Sequence, residues 1–237
     1  MKKLRKVLLS LILVILIVTG CSAKQYDVVK VDKDKNISLK STIAMDDEML
    51  ESILKISSGD ENTQVTDEMK WNYLDTVVEK YTDWDKEKYE QDGFKGYTLT
   101  YKDKINIDDL STTEDVDARY IYLSNNEVKD SHLFKKENDV YKSIIKAQVP
   151  DEYDALYSNS DSNFEMTFTL ILPNKSISNN ADNVSKDGKT LTWNVKKASE
   201  IDVEFKIEKT SIVVYIIIAI IIVAFIVSII FMIKKRK

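Results

Sequence analysis

One end of this chain fixes where the rest of it can fold. From Ile212 to Ile233 the sequence is apolar except for Tyr215 and Ser228, and Lys234-Lys235-Arg236-Lys237 follows at once. At about 1.5 Å per helical residue such a run covers the ~30 Å hydrocarbon core of a bilayer. A buried core helix of that length would carry a polar face, and this run has none. The sequence therefore predicts one C-terminal transmembrane helix over 212–233. Its basic tail, 234–237, is placed in the cytoplasm by the positive-inside rule.

The other end predicts export. Lys2, Lys3, Arg5 and Lys6 precede an apolar run from Val7 to Val18 broken only by Ser10. That run is too short for a comfortable crossing and normal for the core of a signal peptide. It closes in Val18-Thr19-Gly20-Cys21. An aliphatic residue, two small ones and a Cys make the pattern of a bacterial lipoprotein cleavage site. Residues 1–20 are read as the signal peptide, the cut falls between Gly20 and Cys21, and the Cys21 thiol accepts the diacylglyceryl group that begins a palmitate-type acyl anchor. A free Cys is more often buried structure, but its place directly after a signal core favours lipidation.

Residues 21–211 are then one extracytoplasmic domain with two attachments to the same cell membrane. The connecting segments read as short: Ser22 to Asn36 in front, Ile207 to Ser211 behind. The domain is expected close against the bilayer. Eight of the 34 basic residues lie in the two ends and all 39 acidic residues lie between them, so residues 22–211 carry a formal charge of −13. That balance argues against a nucleic-acid partner.

The chemistry of catalysis is thin. One Cys and one His exclude disulfide frameworks, zinc clusters and most His-dependent arrays, and no glycine-rich phosphate loop occurs. His132 follows Asp130 and Ser131, but neighbours in sequence do not make a triad, which is a spatial arrangement. Asp32, Asp34 and Asn36 begin like a calcium loop. However, Ile37 and Ile43 stand where Gly and a bidentate Glu are needed, and Asn159, Asp161 and Asn163 fail in the same way. No enzyme, metal or cofactor is expected.

The domain reads as α+β, mainly an antiparallel sheet with two early helices packed on it. Period-two alternation marks strands at Ile37–Met45, Tyr97–Ile105, Tyr141–Val149, Phe164–Leu172, Leu191–Val195 and Ile201–Ile207. Asp46 caps one helix carrying Met49, Leu50, Ile53 and Leu54, with Gly59 beyond its end. Thr66 caps a second carrying Trp71, Leu74, Val77, Val78 and Tyr81. Trp84 and Tyr89 fall in a charged stretch outside any stripe; they either pack on the second helix or offer an amphipathic contact to lipid or partner.

Several segments together resemble one family. They are Gln91-Asp92-Gly93-Phe94-Lys95-Gly96-Tyr97, Phe164-Glu165-Met166-Thr167-Phe168, Leu172-Pro173, Asn180-Ala181-Asp182 and Asp187-Gly188-Lys189-Thr190-Leu191-Thr192-Trp193. Over most of residues 22–208 the chain is similar to the LppM family of bacterial envelope lipoproteins. The resemblance implies an exported, lipid-anchored domain associated with lipid or lipoglycan, and it carries no catalytic residues. Two functions are open at this point. One is a non-catalytic module at the outer face of the cytoplasmic membrane that takes acyl chains in an apolar groove between helices and sheet. The other is a protein-interaction or envelope-assembly module working through a membrane protein partner.

Overall fold

The computed structural model describes residues 22–60, 62–113, 119–120, 133–143, 145–147, 163–195 and 199–208, together with Ile220 and Ile222. The chain forms two compact units, 1–207 and 208–237. Beyond Glu208, the second unit is described at Ile220 and Ile222, both helical and exposed. Among the described residues no helix is long and apolar enough to cross a membrane. The signal peptide, Cys21 and all but these two residues of the 212–233 span lie outside the described residues.

The first strands are β1 (Ser22–Val31) and β2 (Asn36–Asp46), followed by helices α1 (Asp47–Ser58) and α2 (Asp67–Val78). Then come β3 (Trp84–Gln91), β4 (Phe94–Tyr101), β5 (Ile105–Asn106), β6 (Ser111–Thr112), β7 (Arg119–Tyr120), β8 (Phe134–Glu137), β9 (Val140–Ser143) and β10 (Ile145–Ala147). The last third supplies β11 (Asn163–Ile171), β12 (Ser178–Asn179), β13 (Asn183–Val184), β14 (Thr190–Asn194), β15 (Ser199–Ile201) and β16 (Val203–Lys206).

Both helices begin on the expected caps and α1 ends at the expected glycine, whereas α2 stops at Val78, short of Tyr81. Asp46 Oδ1 accepts from the Met49 N–H at 2.8 Å, and Gly59 at φ 71° closes α1 by donating to the Ile56 carbonyl. Thr66 Oγ1 accepts from the Met69 N–H at 3.3 Å. Leu50, Ile53, Leu74 and Val78 are buried, and of these Leu50, Leu74 and Val78 lie in one cluster with Val29, Leu39, Leu99 and Leu170 of the sheet. Two buried lysines fasten the helix starts, Lys70 joining α2 to α1 and Lys95 joining both helices to β4. Lys70 reaches Asp47 (3.1 Å) and Glu51 (3.3 Å), and Lys95 reaches Asp67 (2.9 Å) and Asp47 (3.4 Å).

The main sheet has the order β13-β14-β11-β1-β2-β4-β3, with β5 beside β2. Its middle corrects one expectation: the segment 22–36 is not a connection, because it contains the central strand β1. The sheet is mainly antiparallel, as expected, with one parallel pair in its middle, where β1 pairs β11 over nine positions, from Ser22↔Asn163 to Lys30↔Ile171. The remaining pairs of this sheet are antiparallel. Two smaller sheets, β12-β16-β9-β8-β6 and β15-β10-β7, each contain one further parallel pair. The former is built on Phe205, which meets Phe134 edge-on at 5.6 Å and stacks on Tyr141 at 5.5 Å.

Asp108, in the 3-10 turn Ile107–Leu110, joins that sheet to the β1–β2 turn. Its carboxylate accepts from Lys136 (2.8 Å), the Tyr141 hydroxyl (2.7 Å) and Lys35 (3.0 Å). Burial pushes its pKa upward, but these three hydrogen bonds outweigh it and hold the carboxyl well below the usual range.

Gly96 sits where β4 approaches β2 most closely, opposite Ala44. A Cβ there would collide with the Ile43 carbonyl oxygen and lie 2.7 Å from Ala44 Cα. Backbone, unlike a flexible side chain, cannot step aside. Gly96→Ala is therefore expected to destabilise the domain by about 3 kcal/mol, at the upper end for overpacking, read as a lower urea midpoint at unchanged m-value.

Candidate functional site

Gly20 and Cys21, the predicted cleavage and lipidation residues, lie outside the described residues, as do Asp130, Ser131 and His132. The residue next to Cys21 is already ordered by the fold. Ser22 opens β1, and its N–H donates to Asp46 Oδ2 at 2.6 Å while the other oxygen of the same carboxylate caps α1.

Alternate residues of each strand face the helices, and the others form the outer face of the sheet. At the Ser22 end that outer face gathers Lys24 and Tyr26 from β1, Tyr89 from β3, Phe94 from β4 and Glu165 from β11. Pairing places Lys24 between Ala44 and Glu165, and Gly96 between Ala44 and Tyr89. Lys24 Nζ stands 4.1 Å above the Phe94 ring and 4.0 Å from Glu165. The Tyr26 hydroxyl donates to Glu165 Oε2 at 3.1 Å. Burial, then the Glu165 carboxylate, then Tyr89 and Asp92 push the Tyr26 pKa up to about 12. The rest of the face is rich in threonine: Thr42 and Thr98 share a hydrogen bond of 2.9 Å, and Thr169 and Thr192 one of 3.2 Å.

A groove of about 490 Å³ runs between α2 and β3, lined by Asp75, Thr76, Val78, Glu79, Lys86, Lys88 and Tyr97. The Tyr97 hydroxyl donates to Asp75, and Lys88 Nζ lies 4.4 Å over the Trp71 ring. Four of the seven lining residues, Asp75, Glu79, Lys86 and Lys88, are charged, while most of the lining surface is apolar. Trp84 is buried with its ring edge-on to Tyr101 at 5.2 Å, so of its two readings packing is the correct one. Tyr89 is half-buried, on the opposite face.

The Asp32-to-Asn36 segment is the turn between β1 and β2. Asp32 spends its oxygens on the Asp34 N–H (2.8 Å), the Asn36 N–H (2.8 Å) and Asn36 Nδ2 (2.9 Å). Among the described residues, no group of three or more His, Cys, Asp or Glu side chains is arranged to hold a metal.

One ionisable group escaped the sequence reading. Asp27 lies in the middle of β1 and faces the core between Ser41 of β2 and Phe168 of β11. It accepts from Ser41 Oγ at 2.6 Å and Gln25 Nε2 at 2.8 Å. Burial, against those two hydrogen bonds, pushes its carboxyl up to about 6. Held by Ser41 and Gln25 within the core, Asp27 reads as a structural group.

Comparison with known proteins bears on residues 28–208, which match the model of the LppM domain family. Among solved structures, the chain is similar to the NMR structure of the folded domain of Mycobacterium tuberculosis LppM. Identity is 13%, the match covers 78% of this chain and 89% of that one, and the TM-score is 0.43. No curated protein matches.

The position of Asp27 sets a pH dependence. Its folded pKa lies above the unfolded value of about 3.9, so its contribution to stability is complete below about pH 4 and lost as pH rises through 6. Asp32, Asp47, Asp108 and Asp187 are shifted the other way; their contributions fade only as pH falls through the acid range. Between pH 4.5 and 7.5 the wild type should therefore lose about 2 kcal/mol relative to Asp27→Asn, measured by urea unfolding at both pH values. Parallel stability profiles would refute this role.

Proposed function

Because the chain belongs to the LppM domain family, we propose that it is an envelope lipoprotein. It is held at the outer face of the cell membrane by an acylated Cys21 and a C-terminal span, and its domain binds lipid or lipoglycan without catalysing a reaction. The observation that carries the ligand class is the Lys24, Tyr26, Tyr89, Phe94 and Glu165 patch, which begins three residues after Cys21. Ring faces suit the C–H faces of sugars, since aromatic side chains combine apolar surface with a polar edge. Glu165 accepts hydroxyls, and Lys24 supplies a cation for phosphate.

The core argues for a head-group ligand over a swallowed acyl chain. Leu39, Leu50, Leu74, Leu99 and Phe168 are nearly inaccessible, and four charged residues, Asp75, Glu79, Lys86 and Lys88, border the α2–β3 groove. The domain's strong negative charge also disfavours simple docking on anionic lipid, which polybasic patches perform.

Native mass spectrometry of the full-length protein in detergent, with lipid extraction alongside, tests the reading. The expected result is a recurrent lipid or lipoglycan adduct whose occupancy drops about tenfold in Tyr89→Ala, the loss of one aromatic contact. A clean apo mass accompanied by a stoichiometric membrane protein would support the assembly module instead. The anchor is checked separately: Cys21→Ser should lack the acyl mass carried by the parent, and equal masses would refute lipidation.

A further inference from the structure

The two attachment points leave the domain at opposite ends of β1. At one end Ser22 is a single peptide bond from Cys21 and is held in the sheet by Asp46. There is no spacer on that side. At the other end the folded unit closes with Ile207, directly after β16, whose Phe205 and Lys206 pair Tyr141 and Val140. The Tyr141 hydroxyl and Lys136 bind Asp108, and Asp108 binds Lys35 in the turn after β1. The chain therefore exits beside the Lys35 end, roughly 30 Å along β1 from Ser22 at 3.3 Å per strand residue.

Residues 208–211 are the chain available before the apolar run begins. Fully extended, four residues reach about 14 Å. A domain standing on its Ser22 end would hold Ile207 about 30 Å above the bilayer, beyond that reach. We infer that the domain lies along the membrane, with β1 tilted no more than about 30° from the bilayer plane, and with the outer face of the main sheet against the phosphate head groups. This rests on the doubly anchored reading proposed above.

Charge selects the face. The outer positions of the central strands include the exposed Lys30 and Lys40 and the half-buried Lys24, interspersed with Thr100 and Thr169, while Thr42 and Thr98 between them are buried. Asp85 and Glu87 lie at the β3 margin of that face, and Glu165 is engaged by Lys24. On the opposite side, α1 carries Asp47, Glu48 and Glu51 against Lys55, and α2 carries Asp67, Glu68 and Asp75 against Lys70. An anionic surface attracts each nearby lysine by about 1 kcal/mol and repels the helices.

The test uses the full-length protein in phosphatidylglycerol-containing vesicles. Single cysteines at Lys30, Lys40, Asn72 and Asp92 are labelled with a fluorophore, one per variant, and quenched by a nitroxide lipid carrying its spin at the head group. All four positions are exposed. Labels at 30 and 40 should be quenched several-fold more than the label at 72 on α2. Strong quenching at 92, in the turn at the Ser22 end, with weak quenching at 30 and 40, would mean an upright domain and overturn the inference. So would stronger quenching at 72. The acyl mass on Cys21 and carbonate-resistant membrane association are read from the same sample. If both hold while quenching is reversed, the orientation alone falls. If the protein floats free of the vesicles, the anchored reading falls with it.

Discussion

The parallel pairing of β1 with β11 is the contact on which the domain depends. It joins residues 141 positions apart, Ser22 with Asn163, and spans nine positions of register. On one side of it hang β2, β4 and β3; on the other, β14 and β13. Without it neither wing has a neighbour, and the core row Leu191, Leu170, Val29 and Leu39 is cut in the middle. Closing so long a loop costs entropy before any contact repays it, so the pairing is expected to form late in folding. The predicted lipidation residue sits one position from this pairing, so that end of the chain also opens its most non-local strand.

A buried carboxyl lies in the middle of that pairing. Asp27 occupies an inward position that Val or Ile would fill more stably at neutral pH, since burying an ionised carboxylate costs more than its two hydrogen bonds return. Such a group specifies register. Shifting β1 by one residue would turn Asp27 to the outer face and part it from Ser41, while Val28 would turn inward. The Asp46 carboxylate works in a comparable way at the strand's end, binding Ser22 with one oxygen and capping α1 with the other.

What the sequence disclosed follows from how local each signal is. The helices over 47–58 and 67–78 were legible because cap, first-turn acids and apolar stripe all sit within one stretch. The strands β2, β4, β11 and β14 were legible through alternation. Strand β1 was hidden because Gln25 and Asp27 occupy two of its five inward positions, breaking the apolar period. Strand β3 was hidden because it is an edge strand: Trp84 alone among its residues is buried, and charges protect the rest. No strand's own pattern records a parallel partner, so the mixed character of the sheet was illegible. The lipidation motif at Cys21 is contiguous and could be read. The patch beside it could not, since Lys24, Tyr89, Phe94 and Glu165 come from four strands and meet only through register.

The −13 charge of residues 22–211 opposes a domain resting on an anionic leaflet, but distance limits that repulsion. On the doubly anchored reading proposed above, an acyl chain and a transmembrane helix together would give effectively irreversible insertion, leaving electrostatics only to choose an orientation. With the sheet's outer face down, Lys24, Lys30 and Lys40 lie within the first layer of ions. The acidic helices stand on the far side of the sheet, about 10 Å away by the spacing of packed layers. That exceeds the Debye length of about 8 Å at physiological ionic strength. Their repulsion is largely screened where the attraction of the lysines is not, so the acidic helices do not prevent the outer face from resting on the leaflet.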